Sequence, residues 1–108
     1  MDLNLVVLCG RLTTPGELRQ FDSGTRMLRL LMSVSTEAPR RRTDVVPVTF
    51  WEPDDVLVEQ VSEKAVRVWV VGSVQRRYWE SPDGRRSRLE VVAEQVTVPE
   101  PEGEEVGT

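Results

Sequence analysis

Tyr78 and Trp79 stand in the run Arg76-Arg77-Tyr78-Trp79, and Arg85, Arg86 and Arg88 follow after a short interval. Aromatic faces beside guanidinium groups suit an unpaired nucleic-acid strand, because rings stack on exposed bases while the cations meet phosphates or sit over π-faces. Consecutive residues of a strand point to opposite sides, so only one of Tyr78 and Trp79 can share a face with a given arginine. Trp79, embedded in arginines, is the first choice for stacking. Phe50 and Trp51 pose the same alternation: one should face the interior and the other the surface, and Phe50 stands open between core packing and base stacking. Trp69 shares one face of its segment with Arg67 and Val71, which fits a binding face or a subunit interface. Phe21 reads as a loop anchor. A second basic run, Arg40-Arg41-Arg42, is either a solvated loop or a flexible cationic arm that captures phosphates.

The residue inventory excludes most catalysis. The chain of 108 residues has no histidine and one cysteine, so it lacks the parts for a Cys-His dyad, a histidine acid-base pair or a zinc site. Ser33, Ser35 and Thr49 have no histidine to activate them, and no glycine-rich run matches a phosphate-binding loop. Asp54 and Asp55 follow Pro53 and better explain a helix start than acid-base work. No enzyme activity, metal, cofactor or small-molecule substrate is expected. Met1-Asp2-Leu3-Asn4 has neither a basic region nor a long apolar run behind it, so neither export nor membrane insertion is expected and a cytoplasmic, nucleoid-associated protein is.

The net charge of −4 argues at first sight against a phosphate-bearing partner. Its distribution reverses that reading. Residues 1 to 98 carry 14 basic and 14 acidic side chains, and all the excess acid lies in Glu100, Glu102, Glu104 and Glu105. Thirteen of the 14 basic residues are arginine, whose planar fork suits phosphate contact and base stacking.

The elements that must hold these side chains follow from pattern. Asn4 to Leu12 is short and rich in branched aliphatics, and ends at the turn-prone Thr13-Thr14-Pro15-Gly16: strand one. Residues 17 to 21 alternate weakly before Asp22-Ser23-Gly24, and Met27 to Ser35 forms a long apolar stretch, together a hairpin-like second unit. Val45 to Trp51 is a third strand, with Pro47 hinting at an edge or bulge. A short helix is expected from about 53 to 63. Val66, Val68, Val70 and Val74 alternate at period two in a fourth strand that bends at Gly72 and runs to Ser81-Pro82-Asp83-Gly84, after which Leu89, Val91 and Ala93 mark a fifth. The expected fold is all-β with one short helix, a five-stranded OB-fold barrel over residues 1–98, followed by a disordered acidic tail over 99–108.

The chain resembles the bacterial single-stranded DNA-binding protein family over residues 3 to 98. The resemblance is carried by Asn4 to Leu12, by Pro15 with Glu17-Leu18-Arg19 and Ser23-Gly24, by Val48-Thr49-Phe50, by Val68-Trp69-Val70-Val71-Gly72, and by Tyr78-Trp79 with Asp83-Gly84 and Glu90-Val91-Val92. It implies a homo-oligomer, a tetramer or dimer of dimers, that binds single-stranded DNA without strong sequence preference in replication, recombination and repair. It implies base stacking at Phe50 and Trp79; the residues themselves offer Trp51 and Trp69 as further stacking candidates and Arg40, Arg41, Arg42, Arg76, Arg77, Arg85, Arg86 and Arg88 for phosphates. Two further stacking tryptophans of the family fall on Ala38 and Asp44, and the family's aromatic C-terminal tip is missing, as in a short paralogue of actinobacterial type. Strand one in that family pairs with its copy, so Cys9 is either a reduced buried thiol or a bridge between subunits. A primosomal replication protein, or a protein-interaction module on the same fold, is the alternative.

Overall fold

A computed structural model describes residues 1–99. The chain forms β1 (Val6–Leu12), β2 (Glu17–Gln20), β3 (Arg26–Thr36), β4 (Arg42–Trp51), α1 (Asp55–Gln60), β5 (Arg67–Ser81) and β6 (Gly84–Thr97). The strands lie in the order β1-β5-β6-β4-β3, and β1 returns to pair with β3 through Arg11 and Leu12, which closes a five-stranded barrel. The short β2 lies along β3 as its hairpin partner. Neighbouring strands are antiparallel except β4 and β6, which run parallel at Val48 and Thr49. This is the OB-fold arrangement, with the helix between the third and fourth barrel strands.

Period-two alternation builds the interior. Leu28, Leu30 and Met32 of β3, Val48 of β4, Val68 and Val70 of β5, and Val91 and Ala93 of β6 all point inward and are buried, as is Leu12 of β1. Leu57 and Val61 close the barrel from α1 and its C-terminal end. The two carboxylates before this helix are explained locally. Asp54 is the N-cap, its side chain accepting from the Leu57 amide at 2.8 Å, a contact worth about 1 kcal/mol. Asp55 pairs with Arg26 at 2.9 Å.

The register shift in the β5–β6 pair lies at Val71/Gly72. Gly72 is required there because a Cβ would collide with the Val92 carbonyl oxygen. Beyond it the two strands continue as a hairpin to the two-residue connection Pro82-Asp83, where Gly84 adopts φ +119°. Pro47 is tolerated in β4 because pairing with β6 begins only at Val48, which leaves one side of the strand unpaired at the proline. β4 starts at Arg42, earlier than the apolar pattern suggests, and β6 runs from Gly84 to Thr97, well beyond Leu89 to Ala93. Both extensions are polar segments held by cross-strand pairing, Arg42 to Asp44 against Val34 to Thr36 and Gly84 to Arg88 against Arg77 to Ser81, which hydrophobic periodicity does not register. Among the described residues no helix is long and apolar enough to cross a membrane. Of the tail expected to be disordered, all but Pro99 lies outside the described residues.

Candidate nucleic-acid interface

The β5–β6 hairpin sorts its aromatic and basic residues onto two faces by register. Arg77 pairs with Arg88 and Trp79 with Arg86, so these four side chains share one face. Tyr78 pairs with Ser87, Arg76 with Leu89 and Glu80 with Arg85, which places Tyr78, Arg76 and Arg85 on the other. There Arg85 lies over the Tyr78 ring at 4.7 Å, and Arg76 donates to the Ser87 hydroxyl at 3.2 Å.

The Trp79 face continues onto the outer surface of the barrel. Thr49 of β4 is in register with Val92, Arg29 of β3 is opposite Thr49, and Met27 is opposite Trp51, so Trp79, Arg77, Arg88, Arg29 and Trp51 lie on one continuous surface. Arg29, Arg77, Arg88 and Trp79 line a cleft of about 420 Å³. The Arg29 guanidinium titrates below its ordinary value, first because it is partly desolvated and then because Arg88 and Arg77 press on it; Glu90 works in the opposite direction. Glu90 is buried on this same surface, with one oxygen 3.8 Å from Arg77 Nη1.

Trp51 sits further along the surface and is 47% exposed. Its ring stacks on Phe21 with centroids 5.9 Å apart and planes at 29°. Phe21, read from the sequence as a loop anchor, therefore extends an accessible aromatic platform. Phe50 alternates inward: it is opposite Leu28 and half-buried against the core.

Trp69 belongs to different surroundings. It pairs with Cys9 and Thr97, and the neighbouring depression is lined by Cys9, Gly10, Arg11, Ser33, Ser35 and Arg67. Arg67 donates to the Cys9 sulfur at 3.4 Å. The loop arginines are partly occupied by acids. Arg41 lies 3.7 Å from Glu37, and Arg42 contacts both carboxylate oxygens of Asp44, at 2.9 and 3.1 Å. Hydrogen bonding from Arg42 holds the Asp44 carboxyl below its usual range. Arg86 lies 3.5 Å from Asp83.

Of the twelve residues marked by sequence, the structure thus brings Trp79, Arg77 and Arg88 into one cleft, with Arg86 and Trp51 on the same surface. It sets Arg76 and Arg85 on the far side of the hairpin, Arg40 and Arg41 in the β3–β4 connection with Arg42 at the start of β4, Phe50 inward and Trp69 beside Cys9. Arg29, Phe21 and Glu90 join the surface without having been marked. Arg29 had a legible signal: it falls between the inward-facing Leu28 and Leu30, so alternation turns it outward.

A closed five-stranded barrel with a cationic, aromatic cleft on its outer surface is the architecture of an oligonucleotide-binding barrel. The model of the single-strand binding protein family matches residues 3–99, and the chain belongs to that family. It is similar to the single-stranded DNA-binding protein of Halalkalibacterium halodurans, 33% identical over 94% of this chain and 63% of that protein. It is also similar to single-stranded DNA-binding protein 2 of Listeria monocytogenes, 32% identical over 96% of this chain and 68% of that protein. The chain thus spans roughly two thirds of the length of these relatives. Among solved structures, a Plasmodium falciparum SSB complex with ssDNA superposes with a TM-score of 0.74 at 18% identity, over 90% of this chain and 93% of that one, which supports the fold.

Proposed function

We propose that this protein binds single-stranded DNA without strong sequence preference and carries out no reaction. The observation that carries the proposal is the convergence of Arg29, Arg77 and Arg88 beside the exposed ring of Trp79. A base stacks on Trp79 while the guanidiniums meet the adjoining phosphates, contacts that any nucleotide offers whatever its base. Trp51, on its platform with Phe21, is the second stacking station, because it is the member of the Phe50-Trp51 pair that faces outward. The β3–β4 connection contributes less, since Ala38 offers no ring and Asp44 occupies Arg42.

The proposed assembly is a homo-oligomer built on the outer face of β1 and β5, where Val7 and Trp69 are exposed beside Cys9. The proposed setting is replication, recombination and repair in the cytoplasm, with single-stranded DNA as the partner. Titration of oligo-dT at increasing salt tests the binding: tryptophan fluorescence should be quenched, and log K should fall linearly with log salt with a slope of about −0.7 for each phosphate contact. Absence of quenching and of binding at low salt would refute the proposal.

A further inference from the structure

The outer surface breaks two local rules at one place. Arg77 and Arg88 are directly opposite in the β5–β6 ladder, a like-charge pair that costs stability. Arg29 reaches the same cleft from β3, so three guanidiniums converge where the sheet alone would favour their separation. Glu90 lies two residues beyond Arg88 on the same face of β6 and diagonal to Arg77. Its side chain is 6% exposed, and its Oε1 is buried without a hydrogen-bond partner among the described residues, 3.8 Å from Arg77 Nη1. A buried carboxylate held so loosely is a poor device for stability, because desolvation costs more than a long, unbonded ion contact returns. Departures of this kind belong to functional sites.

We propose that Glu90 is a positioning residue for a phosphate cradle: its buried charge draws Arg29, Arg77 and Arg88 together in the free protein, so that they meet a phosphodiester already converged. The missing hydrogen bond fits this role. A carboxylate bonded bidentately to Arg77 would keep that fork for itself, whereas a charge set back at 3.8 Å restrains the guanidinium and leaves its donors free for the ligand. The cradle has three positive charges against one negative, a surplus that suits a phosphate of the strand. The Trp79 ring in the same wall places the base that belongs to that phosphate. The inference rests on the single-stranded DNA reading and adds a role for a residue that touches no part of the strand.

Glu90→Gln separates this account from simple charge balance because the two predict opposite signs. The substitution keeps the shape and removes one negative charge. If Glu90 only offsets positive charge, the variant binds oligo-dT more tightly, with a steeper salt dependence. If it positions the cradle, the guanidiniums splay, and affinity falls by about three- to tenfold with a shallower salt dependence, the range expected for residues coupled in one network. Thermal unfolding should show the variant as stable as the parent or more so, since Arg77 keeps access to water and can rehydrate. In an Arg77→Gln background, Glu90→Gln should cost much less than it does in the parent. Unchanged or tighter binding by Glu90→Gln overturns the proposal. So does loss of cooperative unfolding in that variant, which would make Glu90 a structural requirement instead. Failure of the parent protein itself to bind oligo-dT at low salt is a separate result, which ends the single-stranded DNA reading and this one with it.

Discussion

Trp69 and Trp79 lie ten residues apart on β5, about 33 Å along the strand, and are exposed to similar extents, 47% and 42%. Their neighbours differ. Trp79 shares a cleft with Arg29, Arg77 and Arg88, whereas Trp69 faces Cys9 across the ladder, with Val7 and Val71 on one side of it and the paired Arg11 and Arg67 on the other. On the proposed reading, the first combination serves a charged, planar ligand and the second, where apolar side chains adjoin the ring, another protein surface. Exposure of an aromatic ring therefore says little by itself; the set of side chains brought to it by other strands, apolar as well as charged, distinguishes the two positions. Arg29 is 50 residues from Trp79 in the chain and reaches it only because β3, β4, β6 and β5 lie in that order.

The contrast is open to mutation. Trp79→Ala should have the largest effect, weakening oligo-dT binding by about 1 to 3 kcal/mol, the usual value of one base-aromatic stack. Trp69→Ala should leave affinity for a short oligonucleotide within about twofold and should instead shift the assembly toward smaller species in sedimentation, as expected of a truncated anchor in an interface core. Equal losses of binding in the two variants would break the comparison. Replacing both Arg77 and Arg88 by glutamine should reduce the slope of log K against log salt by about 1.4, at about 0.7 for each lost phosphate contact. Arg76→Gln and Arg85→Gln, on the far side of the hairpin, should change it less.

The smallest expected effect comes from the β3–β4 connection. Asp44→Asn frees Arg42 and should tighten binding at low salt by about twofold or less, an advantage that disappears as salt screens an exposed charge. The pH dependence has a defined sign. The carboxyl of Asp44 titrates below its ordinary value because Arg42 bonds to it, so the pair persists through the usual carboxylate range. Its small stabilising contribution is present above the unfolded-state pKa and is lost only as pH falls through the depressed one. Asp44→Asn should remove that part of the acid dependence, as measured by thermal unfolding across acidic pH.

Much of this arrangement was legible in the residues. Alternation around Val68 and Val70, the glycine at the bend, and the Asp54-Asp55 start of α1 define the barrel strands and the helix between them. The Tyr78-Trp79 alternation shows that the two rings must part to opposite faces, as they do, with arginines beside each. What could not be read was adjacency between strands distant in the chain. Arg29 is a lone charge within an apolar run, and nothing local says that it meets Arg88. Phe50 and Trp51 show how fine the margin is: both are aromatic and adjacent, and one position of register decides which faces the core, here Phe50. Glu90 was hidden for the same reason: its contact is with Arg77 of another strand, and nothing local in the chain marks it as buried.

Photo-crosslinking of an oligo-dT strand substituted with 5-iodouracil, with the attached residue located by mass spectrometry, tests the central assignment most directly. Attachment should concentrate on Trp79, with a smaller share on Trp51 or Phe21. Attachment dominated by Trp69 or Tyr78 would contradict the account.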